Sequence, residues 1–444
     1  MSRALLQAWE KTLRRRGEDR AVVQAADGLI VTFRELDARA AAWLARHAPE
    51  PRALTGRAVI FAAPNGVGWF EIFIGLMQAG AIAVPLDAAE PLAAQREIGE
   101  SLRAGFIWDG PRLVSLARAK RWRDSEICLI KLTSGTTGRA RSLAFTGAQL
   151  LADARQVMAT MGINARDVNY GLIPLGHSYG LGNLAVPLLA RGVSLVCGSA
   201  PLPQAIGADF ARWRPTVFPG VPAIWRALAA SDVALDSLRL GISAGAPLPP
   251  EVARDFLNRH GRRLHGFYGS SETGGIAYDV AGKVTLAGGV GHAMRNVKVS
   301  LLRGQRIIVS SPAVFTHGNR HRVRGLGAWI MADRVELDKN GRLTLLGRRD
   351  KTVKIAGRRV NLADIAARLR RLPGVRDAWV GVKDGNEAVL GAVVASARPA
   401  AELRAALHAD TPGWKIPKKW AVVVALPVTA RGKIDTRALQ KMIS

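Results

Sequence analysis

The stretch FEIFIGLMQAGAIAVPLD, residues 70–87, constrains the fold most, because it joins two hydrophobic periods in one unit. Its first half has apolar residues at helical spacing, and its second half is a short apolar run that follows a glycine. GRAVIFAAPN, residues 56–65, has the pattern of a buried strand, and residues 238–261 have the pattern of a strand followed by a helix. Alternating strands and helices predict an α/β fold of βαβ units with mostly parallel sheets.

The pattern changes from about Gly288. VKVSLLRGQRIIVSS and GRLTLLGRRD are short alternating runs divided by turn residues, which predict a small β-barrel-like subdomain. After Asp350 a mixed strand and helix pattern starts again and has the length of a small α+β domain. A chain of 444 residues is too long for one ordinary core. We therefore predict a large N-terminal domain over 1–349 and a small, mobile C-terminal domain over 350–444.

The composition narrows the possible partners and the compartment. A net charge of +28 suits nucleic acid, an anionic membrane or acidic ligands, although arginine is abundant along the whole chain and explains the charge equally well. The chain has no helix-turn-helix, zinc-finger or aromatic RNA-binding motif, so we do not expect a nucleic-acid partner. The chain has only two cysteines, and its N-terminal stretch lacks the apolar core of a signal peptide, which favours a cytoplasmic protein. The most apolar segment, residues 69–86, contains charge, so we do not expect a transmembrane segment.

A hydroxyl-rich loop, TSGTTG, is the first candidate binding element. Its members are Thr133, Ser134, Gly135, Thr136, Thr137 and Gly138. Glycines open backbone conformations closed to other residues, and hydroxyls beside exposed backbone N–H groups suit triphosphate oxygens. On these residues alone an ordinary polar surface turn explains the loop as well. The common NTPase loop is excluded, because the string GxxxxGK followed by Ser or Thr does not occur.

Five further segments occur with this loop in a characteristic order. They are PLGHSYGL (174–181), SAGAPLP (243–249), GFYGSSET (266–273), MADRVELDKNGRLTLLGRRDKTVKIAGRRV (331–360) and LPVTARGKIDTRAL (426–439). Together they resemble the signature motifs of the adenylate-forming superfamily, which contains acyl- and aryl-CoA synthetases, adenylation domains of peptide synthetases, and luciferases. The resemblance covers the chain from about residue 30 to its end and is strongest to the acyl-CoA ligases.

The resemblance implies a site for ATP and Mg²⁺. Glu272 would bind Mg²⁺, which requires a hard oxygen ligand, and Asp333 would accept hydrogen bonds from both ribose hydroxyls. Further ATP contacts are implied for the TSGTTG loop and for Gly245, Ala246, Tyr268, Gly269, Ser271 and Arg348. A solvated surface carboxylate is the alternative interpretation of Glu272.

Four residues are implied in catalysis, Glu272 among them. Lys433 in TARGKID would neutralise the carboxylate and the α-phosphate, and His177 would line the carboxylate pocket. Arg141 departs from the family pattern, since the loop usually closes with Pro-Lys-Gly and here has Ala-Arg-Ser. Arginine keeps the charge and can bind phosphate as a fork, so we expect an active enzyme with altered geometry. The alternative is a weakened site, as in a non-catalytic nucleotide or acyl sensor.

The C-terminal segment is implied to move. Asp350 falls at the hinge position of the family, and a simple loop aspartate is the alternative. After rotation, the face that carries Lys354, Gly357 and Arg359 would line a tunnel for the thiol substrate. His317 and His321 are four residues apart, but the glycine and asparagine between them make a poor helix, so we do not expect a metal site there.

The implied activity is ATP-dependent activation of a small-molecule carboxylic acid. An acyl-adenylate forms with release of pyrophosphate, and the acyl group then passes to the pantetheine thiol of coenzyme A or of an acyl carrier protein. The absence of aspartate from PLGHSYGL argues against α-amino acids, and fatty and aromatic acids remain open. An apolar wall of the acyl pocket is predicted from four residues, with core packing as the alternative for the last three: Tyr179, Phe218, Val221 and Trp225.

Overall fold

The computed structural model describes residues 3–90, 92–122, 126–133, 141–319, 321–323, 325–348, 352–355, 358–383, 389–409, 411, 413–429 and 434–443. The chain forms two compact units. The large unit comprises residues 1–300, 308–329 and 337–343, and the small unit comprises residues 301–307, 330–336 and 344–444. The division at residue 350 stays a prediction, because residues 349–351 lie outside the described chain.

Strands and helices of both units are numbered in chain order. The strands are β1 Arg20–Gln24, β2 Ile30–Thr32, β3 Ala58–Ala62, β4 Ile82–Leu86, β5 Phe106–Trp108, β6 Leu113–Ser115, β7 Ile127–Thr133, β8 Arg141–Thr146, β9 Val168–Gly171, β10 Ser194–Cys197, β11 Val217–Gly220, β12 Leu240–Ser243, β13 Leu264–Ser270, β14 Gly274–Tyr278, β15 Gly291–Ala293, β16 Lys298–Leu302, β17 Arg306–Ser310, β18 Arg322–Val323, β19 Leu326–Leu337, β20 Arg342–Arg348, β21 Thr352–Ile355, β22 Arg358–Asn361, β23 Val375–Lys383, β24 Val389–Ser396 and β25 Lys419–Val423.

The helices are α1 Arg3–Arg16, α2 Phe33–His47, α3 Val67–Gln78, α4 Leu92–Leu102, α5 Gly147–Met161, α6 Ser178–Gly180, α7 Val186–Arg191, α8 Pro203–Trp213, α9 Pro222–Ala229, α10 Pro250–His260, α11 Leu362–Arg371, α12 Ala400–His408 and α13 Thr436–Met442. A π-helical segment, Leu181–Ala185, joins α6 to α7. In the described part of the chain, no helix has both the length and the apolar character that a membrane crossing requires.

One sheet of the large unit has the strand order β6-β5-β3-β4-β7-β8. β3 lies parallel to β4 and β5, and β4 lies parallel to β7. The helix and strand predicted in residues 70–87 are confirmed as α3 and β4. β4 is buried at every position, because it lies in the interior of the sheet and packs on both faces.

The second sheet of the large unit contains the run β15-β14-β13-β12-β11-β9-β10-β1-β2. Strands β9 to β13 pair in parallel, whereas β13, β14 and β15 pair antiparallel. Helices α8, α9 and α10 connect the parallel strands, so this is the predicted βαβ arrangement. Residues 291–348 contain β15 to β20, of which β19 has 12 residues, and the predicted barrel-like closure of this region stays a prediction.

A cluster of aromatic rings fills the core beside this sheet. Tyr170, Phe210, Phe218, Trp225 and Phe256 are buried, and neighbouring rings lie 4.8–6.0 Å apart between centroids. These distances are typical of favourable aromatic packing. The cluster holds α8, α9 and α10 against the strands that lead to the candidate site.

The small unit contains an antiparallel hairpin of β21 and β22 and a sheet of order β23-β24-β25. β23 pairs antiparallel with β24, and β24 pairs parallel with β25. α11 buries Ile365 and Leu369 in a cluster with residues of β23 and β24. This unit is α+β, as the sequence pattern predicts.

Candidate active site

The candidate site lies where the parallel strands β11, β12 and β13 end. Their last residues are Gly220, Ser243 and Ser270, and pairing places these carboxyl ends at one edge of the sheet. Ligands of open α/β sheets bind at this edge. The predicted segments 243–249 and 266–273 both leave the sheet here, so the structure brings them together.

Gly245, Ala246 and Gly269 are exposed at these strand ends, so their backbone is open to a ligand. Gly245 has a φ of +87°, which the absence of a Cβ permits. Tyr268 is almost completely buried on β13 and pairs with Ala277 of β14. The proposed adenine-binding contacts of these four residues remain predictions.

The segment that carries His177 is tied to both sheets of the large unit. His177 Nε2 lies 3.0 Å from Asp87 Oδ2, and Asp87 follows directly after β4. Ser178 Oγ donates to Ser271 Oγ at 2.9 Å. Two predicted elements, the acyl segment and the Glu272 segment, are therefore in direct contact. Asp87 was not among the predicted site residues; the run VPLD, a buried strand that ends in an aspartate, is the signal that could have found it.

Tyr179 spans the ends of β11 and β12. Its hydroxyl lies 3.3 Å from the carbonyl oxygens of Gly220 and Ile242, and its ring centroid lies 5.8 Å from that of Phe267. Burial raises the pKa of Tyr179 well above its ordinary value, so the phenol stays neutral. Val221 is half-buried beside these strand ends. Tyr179 and Val221 both lie at these strand ends, and their contact with the acyl group stays a prediction.

Phe218 and Trp225 lie in the core instead. Both are 0% exposed within the aromatic cluster, and Trp225 Nε1 donates to the Ile242 carbonyl at 3.1 Å. A side chain without accessible surface cannot line the predicted acyl pocket and can only pack against the residues that do. Core packing, the alternative left open by the sequence, accounts for these two residues.

The Glu272 carboxylate is available for a metal ion. The Glu272 carbonyl accepts a hydrogen bond from Phe315 N at 3.2 Å, which holds the backbone. The residue is half-buried, and its carboxylate interacts with the Lys131 charge. A carboxylate oxygen is the hard donor that Mg²⁺ prefers, so Glu272 fits the ion.

Comparison with known proteins shows what this chain is similar to. A family model described as AMP-binding enzyme matches residues 106–306. A feruloyl-CoA synthase from Amycolatopsis sp is 27% identical over 92% of this chain and 93% of that protein. An anthranilate–CoA ligase from Pseudomonas aeruginosa is 26% identical over 79% of this chain and 74% of that protein. The matched region and these relatives make the chain similar to CoA ligases, which supports the resemblance to the adenylate-forming superfamily that the motifs indicate.

Solved structures agree with the fold of this chain. MatB from Rhodopseudomonas palustris with ATP bound has a TM-score of 0.84 at 22% identity, and the alignment covers 99% of each chain. The amide bond synthetase McbA from Marinactinospora thermotolerans has a TM-score of 0.81 at 21% identity over 99% of this chain and 100% of that chain. The predicted architecture, a large α/β N-terminal part with a smaller α+β C-terminal part, is confirmed.

Several predicted site residues lie outside the described part of the chain. These are Ser134, Gly135, Thr136, Thr137, Gly138, Asp350, Gly357 and Lys433. Only the backbone is described for five others, Thr133, Arg141, Arg348, Lys354 and Arg359. Thr133 is the last residue of β7, pairs with Arg141 at the start of β8, and closes the hydroxyl loop as a hairpin. Asp333 lies half-buried on β19 in the small unit, and its ribose contact stays a prediction.

Two buried charged residues near the site were not predicted. Lys131 lies on β7 and is 7% exposed, and Asp153 lies on α5 and is 6% exposed. Burial lowers the pKa of Lys131, and the carboxylates of Asp153 and Glu272 oppose this shift. A lysine inside the apolar strand ICLIKLT is the sequence signal that could have found the pair, because lysine is rarely buried without a partner.

Proposed function

We propose that this protein is an AMP-forming acid–CoA ligase that activates an aromatic carboxylic acid. In the first half-reaction, a carboxylate oxygen attacks the α-phosphorus of ATP, and the bond to the bridging oxygen breaks to release pyrophosphate. In the second, the sulfur of coenzyme A attacks the acyl carbon, the thiol proton passes to solvent, and AMP leaves. The observation that carries the proposal is the direct contact between the acyl segment and the Glu272 segment, through Ser178 and Ser271.

The charged residues of the site serve the first half-reaction. Its main cost is the approach of two anions, the carboxylate and the triphosphate. Glu272 would hold Mg²⁺, which supplies positive charge at the phosphate oxygens when it is bound. Arg141 would bind the phosphates at the mouth of the hydroxyl loop, and Lys433 would neutralise the carboxylate and the α-phosphate where charge develops.

Adenosine and thiol contacts complete the proposed site. Asp333 and Arg348 would hold the ribose, and residues of the segments 245–246 and 268–271 would contact the adenine. Asp350 would act as the hinge between the two half-reactions. Lys354, Gly357 and Arg359 would line the path of the thiol.

An aromatic acid is supported by the pocket and by the relatives. Tyr179 and Val221 present an aromatic and an aliphatic surface at the ends of β11 and β12. His177, held by Asp87, supplies the polar group at the same segment. Several relatives are named for aromatic acids: feruloyl-CoA synthase, anthranilate–CoA ligase and 4-hydroxybenzoate–CoA/benzoate–CoA ligase. Pockets of this kind combine apolar walls with few polar groups.

ATP–pyrophosphate exchange against a panel of aryl, fatty, hydroxy and amino acids tests the proposal. We expect exchange with one or more aryl acids and, after addition of coenzyme A, an acyl-CoA thioester detected by mass spectrometry. The Lys433→Ala variant should lose exchange while ATP binding persists. Exchange confined to fatty acids would overturn the substrate class, and exchange followed by transfer only to a phosphopantetheinyl carrier protein would overturn the acceptor. ATP binding without exchange for any acid would favour the sensor.

A further inference from the structure

The Lys131 ammonium lies in an apolar setting directly before the hydroxyl loop. Lys131 stands on β7 two residues before Thr133, and its Nζ lies 4.3 Å from the centre of the Phe145 ring. An ammonium over an aromatic face gains some attraction, but far less than hydration provides in water. A buried cation of this kind persists only with an anionic partner close by.

Asp153 on α5 is a buried acid whose charge acts on Lys131. Burial raises the pKa of the Asp153 carboxyl, while the Lys131 charge and the Gly275 N–H lower it. Asp153 Oδ1 accepts a hydrogen bond from Gly275 N at 2.9 Å. The carboxylate also packs against Gly274, where a Cβ would collide with it, and lies close to Gly182.

These contacts fix the turn that follows Glu272. Gly274 has a φ of +70°, so the backbone turns sharply two residues after Glu272, and Asp153 fills the space that a side chain there would need. On the opposite side of Glu272, Phe315 N binds its carbonyl, and the Phe315 ring lies 6.2 Å from that of Phe145. The Lys131–Asp153 pair and its aromatic neighbours therefore surround the segment that presents the Glu272 carboxylate.

We propose that Lys131 and Asp153 are positioning residues for the Mg²⁺–triphosphate site, and that the buried pair holds the Glu272 carboxylate in the place where it binds the ion. This inference rests on the proposed function in so far as Glu272 is the Mg²⁺ ligand. Residues that orient a metal ligand without touching the metal affect its affinity strongly, because a freely turning carboxylate loses conformational entropy when it binds.

A purely structural pair would behave differently. Loss of a buried charge partner destabilises any fold, so lower thermal stability alone says nothing about positioning. A positioning role predicts weaker binding of the metal by folded protein. It also predicts that the two residues act as one unit, so that neutralising both has less effect than the two single changes combined.

The test measures binding of Mn²⁺, as a substitute for Mg²⁺, in the presence of ATP. Free Mn²⁺ is followed by electron paramagnetic resonance in wild type, Lys131→Met, Asp153→Asn and the double variant, at a temperature where circular dichroism shows each to be folded. We expect each single variant to weaken Mn²⁺ binding by about tenfold or more, the range for residues behind a metal ligand. We expect the fold-loss of Mn²⁺ affinity in the double variant to be smaller than the product of the fold-losses in the two single variants.

Tyr170→Phe is the matched control. Tyr170 is buried and its hydroxyl donates to the buried Asp209 carboxylate at 2.7 Å, so its loss also removes a partner of a buried acid. This variant should lose stability and keep the wild-type Mn²⁺ affinity. Single variants that bind Mn²⁺ like wild type, or single effects that simply multiply in the double variant, would overturn the proposal. If Lys131→Met does not fold, the near-isosteric Asp153→Asn variant tests the proposal by itself. Weaker Mn²⁺ binding by this variant would support the proposal, and wild-type affinity would overturn it.

The exchange assay separates this proposal from the proposed function. A wild-type protein that binds Mn²⁺ with ATP but activates no acid would contradict the ligase function and leave the role of the pair measurable. A wild-type protein that exchanges normally, together with single variants of unchanged Mg²⁺ dependence, would contradict the role of the pair alone.

Discussion

Replacing Phe218 with alanine should cost stability without changing which acid is activated. The Phe218 ring is 0% exposed and lies 4.9 Å from Tyr170, 4.8 Å from Trp225 and 6.0 Å from Phe210 between centroids. Truncation of a buried phenylalanine to alanine costs about 3–5 kcal/mol. Because the ring has three aromatic partners, we expect the cost in the free energy of unfolding to lie near the top of that range, about 4–5 kcal/mol.

The comparison variant is Val221→Ala, at a half-buried position beside the strand ends. Its expected cost is about 1 kcal/mol, because only part of the side chain is removed from water. Urea denaturation followed by circular dichroism gives the stability of both variants. The ratio of exchange rates for a small and a large aryl acid gives the selectivity. Val221→Ala should shift this ratio toward the larger acid, whereas Phe218→Ala should leave it unchanged at a temperature where the variant is folded.

The opposite pattern would refute the argument. If Phe218→Ala changed the selectivity more than Val221→Ala, the ring would line the pocket and its burial would describe only the ligand-free form. A loss of stability below about 1 kcal/mol would be equally damaging, because a ring with this packing cannot be removed so easily.

Three shorter predictions concern other buried or paired polar groups. Asp87→Asn should raise the KM for the acid about tenfold by steady-state exchange, because a weakened partner of His177 3.0 Å away costs about 1–2 kcal/mol. Burial raises the pKa of Asp167, but the hydrogen bonds from Arg239 and its other donors outweigh burial and hold it below the ordinary value. The Asp167 carboxylate therefore stabilises the fold at pH values above its unfolded-state pKa of about 3.9. The stabilisation is lost as the pH falls through the lower pKa that Asp167 has in the folded state. Arg239→Met should lower the free energy of unfolding at pH 7 by about 2 kcal/mol in urea denaturation. This is less than for a fully buried pair, because the guanidinium is 41% exposed. The difference in stability between wild type and variant should become smaller toward acid pH. Ser243→Ala should raise the free energy of unfolding in urea denaturation by up to about 1 kcal/mol, because the buried Ser243 hydroxyl has no hydrogen-bond partner in the described chain.

The parts of the fold that follow a hydrophobic period were predictable. Residues 70–87 change from helical spacing to a short apolar run at a glycine, and the structure has α3 and then β4 there. The pocket wall was not predictable in the same way. In the segment 213–225 the period shows that side chains are buried, but burial against α10 and burial against a ligand leave the same pattern in the sequence. Only the packing of Phe218 and Trp225 within the aromatic cluster distinguishes them from Val221.

The buried pair shows a different limit of motif-based interpretation. Lys131 and Asp153 lie outside the motifs TSGTTG and GFYGSSET, so the motifs do not indicate them. Lys131 nevertheless interrupts an apolar strand, and Asp153 lies at a buried position of α5. Each of these charges, taken alone, would make its element unstable in a core. Two elements that both carry such a charge, of opposite sign, therefore predict their own contact. In this chain the Lys131 charge interacts with the carboxylates of both Asp153 and Glu272, the candidate metal ligand.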